Sequence, residues 1–398
     1  MRRRTVLAGL TGAGAALVLP AAAHAAPQSR PGGPWIQPEQ SVQKVALTSN
    51  EALGPALESL AARSGGRMAV EVAGHSAGGR PIHLARFGEP GPGRTAVLVQ
   101  TQIHGGEPLG TEAALRLMRT LATSSHPDVL AVLEKLAIWF LPRLNMDGAD
   151  FRAADGSLVQ RRCNSQAWTP LEWGLAADTP APWYQFEQGA TPGFDLNRDF
   201  NPDLATRLSP GDEILLPGDW GTTPGFFATP EARTSAAVFQ RLRPAFFIDH
   251  HHRFSNVQSD TDNQLTTLML SGLVTAGTRE FPLDPAVRDL SFQVNVLVWD
   301  RLRALGDSAF GGITRYWDVD VPGTALGSYA LNGAGIMLYE TRGGVAQKSM
   351  GMLLQQSLLG FGATLEGLAD GSVRAVDPAR YHDIPPAGPD IDNPRTQE

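Results

Sequence analysis

Thiols are nearly missing from this chain: Cys163 is the one cysteine in 398 residues. No internal disulfide can form, so stability in an oxidising compartment must come from packing and bound metal. A structural zinc site ordinarily draws on more thiolates than this chain has. Basic charge is also scarce. A net charge of -7 and a pI near 5.7 leave no electrostatic footprint for nucleic acid or an anionic membrane. A small-molecule or peptide substrate is the natural partner, and a monomer is expected. Beyond the N-terminus no stretch approaches the roughly 20 apolar residues that span a bilayer, so no stable membrane insertion is expected after processing. Internal repeats are absent as well. What is present, a 42% hydrophobic composition, suffices to bury a large core and excludes disorder of the chain as a whole.

The N-terminus reads as an export signal over residues 1–25. Arg2, Arg3 and Arg4 precede Thr5-Val6-Leu7, a weakly apolar Gly/Ala-rich stretch and a cleavage-like Ala23-His24-Ala25. The paired arginines resemble a bacterial twin-arginine signal, which makes the export machinery a partner and implies a periplasmic or extracellular location. An ordinary secretory signal is the alternative. Residues 26–44 follow as a flexible leader, 45–368 as the folded domain, and 369–398 as a Pro- and Asp-rich tail extended along the surface or disordered.

Within the domain, strand and helix alternate. Apolar positions Leu53, Leu57 and Leu60 predict a helix over Glu51 to Arg63. Strands follow at Met68 to Val72, Ile82 to Phe87, Thr95 to Gln100 and Ala137 to Leu141. Thr229 reads as a helix N-cap ahead of Pro230, and Pro244 stops that helix before a strand at Ala245 to Asp249. Gly335 to Tyr339 is another strand and Met350 to Leu365 a helix. Residues 150–227 are long, irregular and rich in Pro, Gly, Asp and Trp, which suits active-site loops. The pattern argues for α/β class, a mixed sheet flanked by helices in one domain.

The chemistry begins at His104-Gly105-Gly106-Glu107, at the carboxyl end of a predicted strand, where open α/β sheets bind ligands. An imidazole and a carboxylate three residues apart converge on one metal when the backbone turns, and the glycines permit that turn. A third ligand comes from His250-His251-His252 at another strand end. Extended geometry puts Asp249 and His251 on one face, and His251 is the chosen ligand among the three. Two histidines and one glutamate leave a position open for water, as a catalytic zinc requires. Glu340, at a further strand end, is the candidate base, with an ion pair to Arg342 as the plain alternative. In Asp195-Leu196-Asn197-Arg198 the guanidinium suits a substrate carboxylate, and Asp195 suits orienting a ligating imidazole.

This ordered set resembles the zinc carboxypeptidase-type metallopeptidases, the family of pancreatic carboxypeptidase A and its bacterial relatives. The matching residues run from Gly79-Arg80-Pro81-Ile82 and His104-Gly105-Gly106-Glu107 through Asn145-Met146-Asp147-Gly148. They continue with Asp195-Leu196-Asn197-Arg198, Ile248-Asp249-His250-His251 and Glu340-Thr341-Arg342. The resemblance implies a single-domain α/β/α sandwich around a mixed, largely eight-stranded sheet. It implies one zinc ion at His104, Glu107 and His251, with Glu340 as general base. Asn197 and Arg198 match the pair that holds the terminal carboxylate, Asp195 the acid behind a ligating histidine, and Arg80 a substrate-binding arginine. Arg162 matches the arginine that stabilises the oxyanion, with Arg161 its adjacent competitor. Where the family has a mobile tyrosine, this chain offers Tyr316, Trp317 and Tyr329 at imperfect spacing, so that role stays unassigned. The Asp-His-His-His strand end is closer to bacterial and deacylase-like branches. The expected activity is a metallocarboxypeptidase acting on peptide or peptide-like substrates. Its alternatives are a zinc amidase or deacylase on cell-wall peptides or N-acyl amino acids, and an inactive zinc-binding relative serving as a binding module.

Overall fold

The apolar runs pair into one sheet. The computed structural model describes residues 47–188, 191–218, 223–253, 256–259, 262–277, 280–306, 312–342 and 350–389; the expected signal and leader lie outside them. In chain order the elements are α1 (Asn50–Arg63), β1 (Met68–His75), β2 (Pro81–Phe87), β3 (Thr95–Thr101), α2 (Leu109–Thr123), α3 (Pro127–Lys135) and β4 (Leu136–Leu141). There follow α4 (Met146–Ala149), a hairpin of β5 (Gln185–Gln188) and β6 (Thr191–Phe194), α5 (Pro230–Leu242), β7 (Phe246–Arg253), and a hairpin of β8 (Val257–Ser259) and β9 (Asp262–Leu265). The last are β10 (Leu268–Ser271), α6 (Pro285–Arg303), β11 (Ile313–Arg315), α7 (Ala325–Leu331), β12 (Gly335–Arg342) and α8 (Met350–Asp370).

Eight strands form the main sheet in the order β1-β2-β4-β3-β7-β12-β10-β11. The central neighbours β4, β3, β7 and β12 are parallel, while β1, β2 and β10 join antiparallel, so the sheet is mixed as expected. Central strands are buried on both faces, and their near-continuous Val, Leu, Ile and Phe content is what that position demands. Helices cover both faces. The alternation along β7 shows this: His250 meets Ser357 of α8, whereas Phe247 packs on Tyr329 of α7 and Asp249 points toward Gln100, which bonds Ser235 of α5. α5 starts where Thr229 accepts from the Ala232 amide, with Pro230 in the first turn, and ends at Arg243 in the left-handed region. No helix of the described residues is long and apolar enough to cross a membrane.

The stretch after Asp370 departs from the expected loose tail. Residues 372–383 form two short 3-10 turns, and Tyr381 is fully buried, stacked on Phe292 of α6 at 4.0 Å. Its hydroxyl accepts from the Gly272 amide at 3.1 Å, and Arg380 forks onto Asp300 at 2.8 and 2.9 Å. One aromatic with a polar handle is enough to anchor a segment whose composition otherwise reads as linker.

Candidate metal centre

Three strand ends and one irregular segment build the site. His104 and Glu107 follow β3. His251 lies on β7, beside β3 in parallel register, which brings together residues 147 positions apart. His104 Nδ1 is 2.8 Å from Glu107 Oε1 and 3.2 Å from His251 Nδ1, and Glu107 Oε2 is 3.1 Å from His251 Nδ1. All three residues are at least nine-tenths buried. Donor atoms around a tetrahedral zinc, with bonds near 2.0–2.1 Å, are separated by about 3.3 Å. The donor set and its spacing therefore fit that ion.

Each imidazole presents its distal nitrogen to a carboxylate. His104 Nε2 lies 3.3 Å from Asp195 Oδ1, and His251 Nε2 lies 3.1 Å from Asp249 Oδ2. Both carboxylates thereby select the Nδ1 atoms for the centre. Burial disfavours charge on His251, but Asp249 and Glu107 outweigh it and hold its pKa well above the usual value. Burial likewise opposes the charge on Glu107, yet His104 and His251 keep that carboxyl well below its ordinary range. The pocket is set for positive charge at its centre.

The other two histidines of the run serve packing. His250 bonds Ser357 at 3.0 Å and stacks on Tyr339. His252 Nε2 accepts from the Leu109 amide at the start of α2 at 3.1 Å. Burial pushes the pKa of His250 well down and that of His252 to about 4, so both stay neutral.

The glycines act differently from expectation. The left-handed residue before His104 is Gln102, not a glycine. Gly105 instead lies against the turn at Asn145 to Gly148, where a Cβ would sit 2.1 Å from the Gly148 carbonyl carbon. That turn also holds the arginine segment. Asn145 Nδ2 donates to Arg162 O at 2.9 Å, and the Arg161 amide donates to Gly148 O at 2.9 Å. The two adjacent arginines separate sharply. Arg161 is buried and donates to the carbonyls of Asn164, Thr191 and Pro192. Arg162 faces the cluster, with Nε donating to Asp195 Oδ2 at 2.8 Å and Nη1 3.4 Å from His104 Nδ1.

Asn197 and Arg198 sit in a short 3-10 turn capped by Asp195, both almost wholly buried. Asn197 Oδ1 accepts from the Ala325 amide. Glu340 of β12 lies in register beside His251. Its Oε2 is buried and has no hydrogen-bond partner among the described residues, no ion pair to Arg342 forms there, and burial pushes its carboxyl up. A buried carboxylate oxygen without a partner is costly to maintain. Arg80 pairs with Asp147 at 2.8 Å and with Asp150 at 3.8 Å rather than with any member of the cluster.

Two residues went unassigned in the sequence. Asp249 holds His251, and the i, i+2 spacing that puts both on one face was the available signal. Tyr316 shares its surroundings with Glu340, Arg253 and Arg198, whereas Tyr329 is fully buried in the core, bonded to Ser235 and stacked on Phe239.

Comparison with known proteins agrees. Residues 55–259, just over half of the chain, match the model of the zinc carboxypeptidase family. Carboxypeptidase E of Caenorhabditis elegans is 31% identical over 138 residues, which are 33% of this chain and 24% of that protein. The chain thus spans about a quarter of that curated relative. The crystal structure of carboxypeptidase A from Helicoverpa armigera superposes with a TM-score of 0.57 at 17% identity, covering 83% of this chain and 74% of the other. A metallo-carboxypeptidase from Burkholderia cenocepacia gives 0.50 at 14% identity, over 81% and 69%. At these identities the structural likeness is one of fold. With the family match over residues that contain His104, Glu107 and His251, the chain belongs to the zinc carboxypeptidase family.

Proposed function

We propose that this chain is a zinc-dependent metallocarboxypeptidase that hydrolyses the amide bond next to a carboxylate-bearing terminal residue. The observation that carries the reading is the convergence of His104, Glu107 and His251 on one point, with the half-buried Glu340 in register beside His251. These three residues hold one zinc ion, which when bound supplies Lewis acidity to a carbonyl and lowers the pKa of water to about 7. Glu340 takes the proton of the attacking water and delivers it to the leaving amine. Arg162 stabilises the oxyanion, and Asn197 with Arg198 holds the terminal carboxylate. Asp195 and Asp249 fix the two imidazoles. Arg80, engaged with Asp147, supports the turn behind Arg162 in place of a direct substrate contact. The arginine-led N-terminus supports export of a bacterial enzyme to the periplasm or beyond.

Asp249→Asn is expected to weaken zinc binding about 10- to 100-fold, measured by competition with a chromophoric chelator. An unchanged affinity removes Asp249 from the centre.

The reading is tested by presenting peptides, cell-wall fragments and N-acyl amino acids to the zinc-loaded chain, with and without complete chelation. Release of C-terminal residues from peptides, lost on chelation and restored by zinc, is the expected result. Turnover that survives zinc removal sinks the mechanism. Cleavage confined to cell-wall or acyl substrates moves the activity to an amidase or deacylase, and zinc binding without any turnover leaves a binding module.

A further inference from the structure

A fully buried carboxylate, Glu231, lies outside the metal cluster and takes no part in the proposed reaction. It stands in the first turn of α5, whose start is fixed by Thr229: its amide and hydroxyl both donate to Asp199 at 2.7 Å. Glu231 Oε1 accepts from the Ala77 amide at 3.0 Å, and Oε2 accepts from Asn164 Nδ2 at 3.1 Å. One side chain thus joins the turn between β1 and β2 to the segment that carries Arg162. Burial pushes its pKa up to about 7; the Ala77 amide opposes the rise and nearby Asp147 adds to it.

Each end of that link leads to Arg162. Asn164 Oδ1 accepts from the Phe194 amide at 2.9 Å and from the Gln166 amide at 3.1 Å, while the Asn164 amide donates to Phe194 O. Asp195, next to Phe194, takes the Nε donor of Arg162, so Asn164 sets the spacing between the arginine and the carboxylate that orients it. The Ala77 turn works from the other side. Ser76 Oγ and the Gly78 amide donate to Asp147 at 2.6 and 2.8 Å, and Asn145, in the same turn as Asp147, donates to Arg162 O. Asn164 has no freedom to turn its side-chain amide over, because a flip would set Nδ2 against two backbone donors. Its matching partner is therefore an acceptor, which the Glu231 carboxylate supplies.

We infer that Glu231 is a positioning residue for Arg162, fixing the oxyanion arginine from behind through Asn164 on one side and the Ala77 turn on the other. The inference rests on the peptidase reading of this site. Glu231→Gln keeps the shape of the side chain, but it accepts from Ala77 only by setting its Nε2 against Asn164 Nδ2, two donors face to face. Adding Asn164→Asp restores the bond with its polarity reversed: the new carboxylate accepts from the glutamine and still accepts from the Phe194 and Gln166 amides.

The test uses the zinc-loaded chain at a pH where Glu231 is ionised, with two readouts. One is kcat and KM on the peptides the chain hydrolyses. The other is the NMR resonance of the Arg162 Nε–H group, identified by its loss in Arg162→Ala. Glu231→Gln is expected to lower kcat by about 10- to 100-fold, with KM and zinc affinity near those of the parent, and to shift the Arg162 resonance. The added Asn164→Asp returns both toward the parent. In an Arg162→Ala background Glu231→Gln adds little further loss, because two changes that act through one group are not additive. An Arg162 resonance unmoved by Glu231→Gln, a swapped pair that rescues neither readout, or a full further loss in the Arg162→Ala background overturns the inference. Glu231→Ala, which leaves room for water at both donors, decides the matter by the same resonance if Glu231→Gln fails to fold. A resonance that follows the swap in a chain that hydrolyses no peptide overturns the peptidase reading alone. Turnover that falls while the resonance stays in place overturns the positioning role alone.

Discussion

Glu340→Gln lowers kcat by about 10²- to 10⁴-fold in a chain that still folds and still takes up its metal. The expectation follows from where the carboxylate sits. Glu340 is paired in register with His251, within reach of the chemistry but outside the three donors that converge on one another. Its Oε2 has no hydrogen-bond partner among the described residues, so the amide breaks no structural bond at that atom. The substitution preserves shape and removes only the capacity to accept a proton. A general base removed in this way leaves substrate binding and the electrostatic environment in place, so KM and the zinc affinity should stay near those of the parent. Steady-state kinetics together with a metal titration check both halves. Full activity in the amide variant would remove Glu340 from the mechanism.

Arg162→Ala should lower kcat by about 10²- to 10³-fold, the usual cost of one oxyanion donor, with a smaller change in KM. Burial opposes the charge on this arginine, but Asp195 and Glu107 hold it firmly cationic, so its donors are available at any working pH. The neighbouring Arg161→Ala is expected to behave in the opposite way. Its guanidinium is spent on the backbone carbonyls of Asn164 and of Thr191 and Pro192 in β6, so truncation leaves several buried acceptors unpaired and lowers stability. Thermal unfolding separates the two: Arg162→Ala melts near the parent temperature, Arg161→Ala below it. A reversal of these phenotypes would assign the oxyanion role to Arg161.

The sequence revealed the strands that carry the ligands because central parallel strands are apolar on both faces. β3, β4, β7 and β12 are such runs. His104, Glu107 and Glu340 could be singled out because each stands at or just beyond the carboxyl end of such a run. The choice of His251 among three histidines needed only period-two alternation, and the contacts of His250 and His252 on the opposite face follow the same rule. Other features lacked a local signal. Arg161 and Arg162 are identical in type and lie in an irregular segment with no period to tell inside from outside. β10 and β11 are four and three residues long, below the length at which alternation can be read. α6 is buried on most of its circumference, with Ser291 and Asn295 among its buried residues, so no clean apolar stripe marks it. The role of Gly105 is set by a turn some 40 positions away, and a close backbone approach of that kind leaves no trace in sequence spacing.

The parallel pairing of β3 with β7 carries a further consequence. His104 and His251 are 147 residues apart and meet only when these two strands dock, so the unfolded chain offers no comparable chelate. The three donors therefore come together only once long-range strand pairing has closed that large loop. Once folded, the protein gains stability from the ion by mass action, about 2.7 kcal/mol when free zinc exceeds its dissociation constant a hundredfold. Zinc supply would then govern how long the folded chain persists.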